Sequence, residues 1–333
     1  MVNAKKADAT PSTPKTNSAT PKLVLRTYKS SDAEHVDHLF YSTYFSLVPE
    51  GVRRKLWSPW TWVIWFAVYS YLLMIVPILL SGMDVPAWVH LVLKLFLTFA
   101  WSAVGFATLF VTTDRFETVA RVEEARQNDL SDPQVYYLNR SEKEGKDGEK
   151  EMKPSELQRP SHFWVLTMED TPCGMVGLAC NAQDIEDKQP VLLPAWKRLG
   201  AGICNRYHLP VPAMFKQVPS AEKRIFARAH EPHTATLQRL AVRYDFQDCG
   251  LSTLLINRAM TWASEHDIET VYAQTNEMQM AAEQVLEKRH GFKLVKKQKI
   301  GWFGTHEATW ACDVKTWMEH NKDKTAKTFV KRT

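Results

Sequence analysis

Cysteine is scarce in this chain, with five in 333 residues and no Cys-x-x-Cys pair among them. Cys173, Cys180, Cys204, Cys249 and Cys312 show neither zinc spacing nor an even disulfide framework, so a reducing compartment and no metal are expected. A strong charge imbalance is also missing. The net charge of +5 is scattered, which suits a solvated surface and argues against nucleic acid as a partner. No signal-peptide pattern opens the sequence. Residues 1–21 are poor in apolar side chains and rich in Lys, Thr, Pro and Ala, the composition of a disordered tail. The largest absence is of charge itself: none from Trp60 to Ser81, and none from Leu95 to Thr113.

Two apolar runs, 60–81 and 86–111, are each long enough to span a bilayer as a helix, joined by the short link Gly82-Met83-Asp84-Val85-Pro86. Trp57, Trp60, Trp62 and Trp65 gather at one end, as in an interfacial aromatic belt. His90 and Lys94, one helical turn apart, are expected to snorkel toward the loop-side surface. Arg53, Arg54 and Lys55 precede the first run, Arg115 and Arg121 follow the second, and the link has no Lys or Arg. The positive-inside rule therefore predicts a hairpin with both termini and all soluble sequence in the cytosol. The endoplasmic reticulum is the expected membrane for an uncleaved hairpin.

The remainder reads as one α/β domain divided by insertions. A strand at Lys22–Tyr28 leads to Ser31-Asp32-Ala33-Glu34, which has capping-box spacing, then to Val36, Leu39, Phe40 and Tyr44 at helical intervals. These fill 22–56. The hairpin takes 57–113, and 114–140 is helical at Arg115–Arg126, with Phe116, Val119, Ala120 and Val122 as its apolar face. Residues 141–160 read as a flexible charged loop, 161–182 as a strand pair and 183–233 as a Pro-interrupted insertion. A core at 234–315 supplies the remaining strands and helices, and 316–333 is a basic tail. Without the hairpin the order is β-α-α-β-β-β-α-β-α-β-β, a mixed sheet flanked by helices.

The most informative segment is Ala235–Leu255. A strand ends at Val242, and Gln247-Asp248-Cys249-Gly250-Leu251-Ser252 forms a turn before a helix. Backbone N–H groups at such a turn, with the positive end of the helix dipole behind them, suit a diphosphate. Glycine at 250 lets the backbone approach phosphate oxygens closely. An ordinary turn is the plainer reading of a glycine placed there.

Val242, Gln247 and Gly250 fall in step with the acetyl-CoA motif of the GNAT superfamily of N-acetyltransferases, which the segment resembles; Ser252 stands where Gly or Ala is usual. The element order is also that of the GNAT fold. The hairpin's position, Asp129-Leu130-Ser131-Asp132 with Tyr136-Tyr137-Leu138, and Phe163-Trp164-Val165 with Gly174-Met175-Val176-Gly177 resemble the membrane-anchored Camello-type group, which includes cysteine-S-conjugate N-acetyltransferases. This resemblance implies acetyl-CoA as acyl donor and a small-molecule or protein amine as acceptor. It places the pantetheine arm and thioester along Leu240, Ala241 and Val242, the diphosphate on Gln247 to Ser252, and Asn276 near the arm.

One position departs from the pattern. Glu287 stands where the family's tyrosine often protonates the CoA thiolate, and it could replace that acid only if burial raised its pKa well above about 4.3. Glu231, His233 and Asp245, flanking the motif strand, are candidates for deprotonating the amine, as is a chain of waters. Two alternatives stand beside the acetyltransferase: a non-catalytic CoA-binding or scaffold protein, and a transferase of longer acyl chains.

Overall fold

A computed structural model describes residues 22–81, 86–144, 150–189, 195–216, 224–300 and 305–329. The expected disordered tail at 1–21 and the hairpin link lie outside these residues. The chain opens with β1 (Leu23–Thr27), α1 (Ala33–Phe45) and α2 (Val48–Trp57). The apolar runs form α3 (Pro59–Leu80) and α4 (Ala87–Thr112). A π-helical segment at Thr113–Thr118 carries α4 into α5 (Val119–Gln127), and α6 (Pro133–Tyr137), β2 (Arg140–Glu144) and β3 (Lys150–Met152) follow. Then come β4 (His162–Met168), β5 (Thr171–Ala179), β6 (Ile185–Glu186), α7 (Ala195–Arg206), α8 (Ala213–Lys216) and β7 (Ile225–Ala227). The last part holds β8 (Thr234–Val242), α9 (Leu251–Glu265), β9 (Thr270–Asn276), α10 (Met280–Gln284), β10 (Lys293–Lys299), β11 (His306–Asp313) and α11 (Val314–Phe329).

Seven strands make one sheet in the order β1-β4-β5-β8-β9-β11-β10, all neighbours antiparallel except β8 and β9. β4 and β5 are apolar on both faces because the sheet is covered on both sides. On one side α9 buries Leu255, Ile256, Ala259 and Met260 against Trp164, Val176 and Val271. On the other, α1, α5 and α6 bury Val36, Phe40, Val122 and Tyr137 against Phe163 and Met175. Burying each large apolar side chain contributes about 1.5–3 kcal/mol.

α3 and α4 pack on each other. A Cβ at Gly105 would stand 2.2 Å from the Trp65 ring, and Tyr69 Oη lies 2.7 Å from Thr98 Oγ1. Their outer faces remain bare: Phe99 is 74% exposed and Phe96 68%. Trp88–Gln127 is one 40-residue helix, long and apolar enough by itself to cross a membrane. α3 meets that test only together with the helical stretch before it, from which it bends by 72°.

Three local expectations need correction, and one is refined: the segment 316–333 is helical as α11 through Phe329, with Trp317 2% exposed in the α9-side core, and residues 330–333 lie outside the described ones. The loop at 141–160 contains the β2–β3 pair, whose Lys150 and Lys153 bond to Asp132 and the Val135 carbonyl of α6. At the start of α1, Asp32 is turned to Arg26 (2.6 Å) and the Lys29 N–H (3.0 Å), so the Ser31–Glu34 capping box does not form. On α5 the buried pair is Val122 and Ala125, whereas Ala120 is exposed and the Phe116 side chain lies outside the described residues.

Candidate functional site

Two neighbouring strands part company at the centre of the sheet. The parallel ladder between β8 and β9 runs from Thr234 opposite Thr270 to Leu237 opposite Ala273, and then ends. β9 continues to Asn276 against β11, and β8 continues to Val242 against β5 alone. Backbone along Gln238–Val242 therefore has no strand partner on its β9 side, leaving N–H and C=O groups available to a ligand. Leu240, Ala241 and Val242 lie on this open edge.

A β-bulge causes the parting. Met175 pairs with Ala241 but Gly177 with Gln238, so β8 holds one extra residue there. Arg239 occupies it at φ +52°, a left-handed conformation that costs a non-glycine residue about 1–3 kcal/mol. The compensation comes from Asp129, fully buried after α5, which accepts Arg239 Nε at 2.7 Å and Nη2 at 2.6 Å. Burial disfavours charging Arg239, but the Asp129 carboxylate more than offsets it and raises the guanidinium pKa above its ordinary value. The ring of Phe40 on α1 lies 5.2 Å from the same guanidinium.

Tyr137 Oη donates to Asp129 at 2.6 Å and also lies 3.1 Å from Gln238 Oε1. One phenolic proton serves one acceptor, and the nearer carboxylate takes it. Burial, then the Asp129 charge, pushes the Tyr137 pKa far up, so the phenol stays protonated. Neither Asp129 nor Arg239 is singled out by sequence spacing. Their only signal is the Asp129-Leu130-Ser131-Asp132 segment, matched by resemblance rather than by chemistry.

After β8 the chain makes a turn at Tyr244–Phe246 and reaches α9. Gly250 is the residue before α9 at φ +79°, and nothing lies within 4 Å of where its Cβ would stand. The dihedral favours glycine there, and among the described residues the space beside it is open. α9 has no side-chain cap on its first N–H groups, and the buried hydroxyl of Thr253 has no partner among the described residues. Uncapped N–H groups, an orphaned hydroxyl and open space beside a glycine together fit a phosphate group. Gln247, Asp248 and Cys249 are exposed along this turn, and Leu251 and Ser252 are half-buried in the first turn of α9. Arg243, missed in the sequence reading, adds a cation between strand and turn, stacked 4.5 Å from Phe246.

The proton-transfer candidates separate. Glu231 and His233 lie at the closed end of the ladder, where His233 Nδ1 donates to the Asp267 carbonyl at 2.7 Å. The length of β8, roughly 26 Å, separates them from the turn. Asp245 is at the right end, but its exposed carboxylate is paired with Arg243 at 3.3 Å. Glu287 is exposed in the π-helical turn after α10, so the burial that an acid role requires is missing. His230, not singled out in the sequence, is kept neutral by burial; Nδ1 accepts from Asn181 N–H at 2.9 Å and Nε2–H donates to Thr236 at 2.8 Å. With both nitrogens used, it braces Thr236 and does not take up a proton.

Asn276 sits at the far rim of the opening. Its side-chain carbonyl accepts from Met278 N–H (3.0 Å), and its own N–H donates to Gln279 Oε1 (3.2 Å). The other end of Gln279 donates to Tyr44 Oη at 3.2 Å. Tyr44, on α1 with its ring tilted against Phe40 at 4.6 Å, thus reaches from the bulge to the end of β9. Among the described residues no group of three or more His, Cys, Asp or Glu side chains could hold a metal.

A model of the acetyltransferase (GNAT) family matches residues 132–292, and no curated protein sequence matches the chain. A GNAT-family acetyltransferase from Staphylococcus aureus Mu50 shares 8% identity over 88% of this chain and 99% of its own, with a TM-score of 0.40. The ribosomal-protein-S18-alanine N-acetyltransferase of Escherichia coli shares 12% over 48% and 73%, at 0.29. A protein from Salmonella typhimurium described as an acetyltransferase, solved with its cofactor acetyl-CoA, shares 12% over 46% and 65%, at 0.27. Likenesses this distant carry no weight for the site, which rests on strand register and side-chain geometry.

Proposed function

We propose, from the premise that this chain carries an acetyltransferase domain of the GNAT family over residues 132–292, that it moves the acetyl group of acetyl-CoA to a primary amine. In this reading α3 and α4 anchor the enzyme in a bilayer, the endoplasmic reticulum by expectation, with the domain on the cytosolic face. The observation that carries the chemistry is the opening between β8 and β9, which leads directly into the turn at Gly250. The open edge of β8 offers hydrogen bonds to the pantetheine arm and an N–H to the thioester oxygen. The turn, the start of α9 and Thr253 hold the diphosphate. Holding both partners in place supplies much of the rate.

Attack by the neutral amine forms the C–N bond, the attacking nitrogen gives up one proton to water, the C–S bond breaks, and the departing thiolate takes a proton. With Glu287 exposed, Tyr44 is the phenol best set to give that proton, because it bridges the bulge and the rim of the opening. The bilayer anchor is supported by the long apolar helix and the bare outer faces of the hairpin. The acceptor is an amino acid, an amine metabolite or a protein amine. Membranes carrying the protein, supplied with labelled acetyl-CoA and a panel of amines, test this reading. Label transferred to one amine class is the expected result, and no transfer to any amine contradicts it.

A further inference from the structure

At the bend between α2 and α3 a pocket of about 510 Å³ opens, lined by Arg53, Arg54, Trp57, Trp60, Lys299 and Glu50 among others. Three cations face it against one carboxylate, and that carboxylate is 3.5 Å from Arg53. Its two tryptophans are exposed, Trp57 by 82% and Trp60 by 47%.

The bend is built to persist. Ser58 is extended (ψ 127°) and Pro59 starts α3, while Thr61 Oγ1 and Trp62 Nε1 donate to the last carbonyls of α2, at Lys55 (2.6 Å) and Leu56 (2.7 Å). Lys55 is itself buried and paired with Glu117 at 2.8 Å, which fixes α2 to the helix leaving the hairpin. With α3 turned 72° from the helical stretch that ends in α2, an upright α3 leaves α2 lying near the bilayer surface. Arg53, Arg54 and Trp57 then meet Trp60 at headgroup depth, where tryptophan and cations are both favoured.

We propose that this pocket binds the net-negative headgroup of an anionic phospholipid, its phosphate and further acidic group together, in the membrane that holds the hairpin. Arginine guanidinium groups suit phosphate oxygens, and the tryptophans cover the glycerol and upper acyl region. α2, which lines the pocket, also packs against the rim of the opening. A Cβ on Gly51 would stand 3.0 Å from Met278 Sδ, and the Met278 N–H donates to the Asn276 side chain at the rim. This inference rests on the membrane reading above.

The test uses the full chain in nanodiscs of phosphatidylcholine containing labelled phosphatidylserine or labelled phosphatidylcholine, with lipid bound per protein as the readout. The wild type is expected to prefer phosphatidylserine, and Arg53→Gln with Arg54→Gln and Lys299→Gln to lose roughly fivefold of that preference per cation. A control with the same charge change elsewhere, Lys288→Gln with Arg289→Gln and Lys293→Gln, is expected to keep it. Equal binding of both lipids, equal loss in the control, or full displacement by inorganic phosphate at millimolar concentration would each overturn the site. Resistance of the protein to carbonate extraction is scored separately: its loss defeats the membrane reading, whereas retained insertion without lipid preference defeats only the pocket.

Discussion

The two halves of β8 differ more from each other than β8 differs from its neighbours. Thr234–Leu237 is laddered to β9 throughout and Thr236 and Leu237 also to β5, with Ala235 and Leu237 buried in the α9-side core. Gln238–Val242 is laddered on one side only and contains a half-buried arginine in a left-handed conformation. The first half is held by apolar burial and backbone pairing. In the second, one buried ion pair holds a strained residue so that backbone groups are left available. Substitutions around the paired half should therefore cost stability alone, and those around the open half should reach activity.

The largest effect is expected at the ion pair. Asp129→Ala leaves Arg239 buried without its partner, and unfolding of the full chain in detergent should show a loss of about 3–5 kcal/mol together with loss of acetyl transfer. Full activity in the folded fraction would mean that the bulge does not need the pair. Tyr44→Phe is next: kcat should fall about 100-fold, the scale of one general acid, with stability little changed. At the paired half, Val271→Ala removes a fully buried side chain opposite Ala235, costing about 2 kcal/mol of stability while kcat per folded molecule stays within about twofold. The smallest effect is reserved for Glu287→Gln, an exposed side chain for which kcat should change by less than about twofold. A large drop there would restore it as the acid.

How much of this could be read from the sequence follows the range of the interactions. The turn from Gln247 to Ser252 is local, and so are the apolar runs of α3 and α4; both are legible in their own residues. The bulge is not, because an arginine at φ +52° is stabilised by an aspartate 110 residues earlier. Helix α11 is not legible as a docked helix because its lysines dominate the composition, while Trp317, which docks it on the core, is a single residue. Glu231 and His233 looked adjacent to the site because they precede the motif strand, but a strand carries its two ends apart. Tyr44 lay outside every motif, and only the folding of α1 over β8 brings it beside Gln279.

The central claim is that the open edge of β8 and the turn at Gly250 form one acetyl-CoA site. Isothermal titration of acetyl-CoA into the full-length protein and into Gly250→Glu tests it most directly. A glutamate there must adopt φ +79° and would project a carboxylate into the space assigned to phosphate. The account predicts acetyl-CoA binding by the wild type and at least about 100-fold weaker binding by the variant, with the ligand-free variant still folded and destabilised only by the backbone strain, about 1–3 kcal/mol. Equal affinity in the two proteins, with both folded, would contradict it.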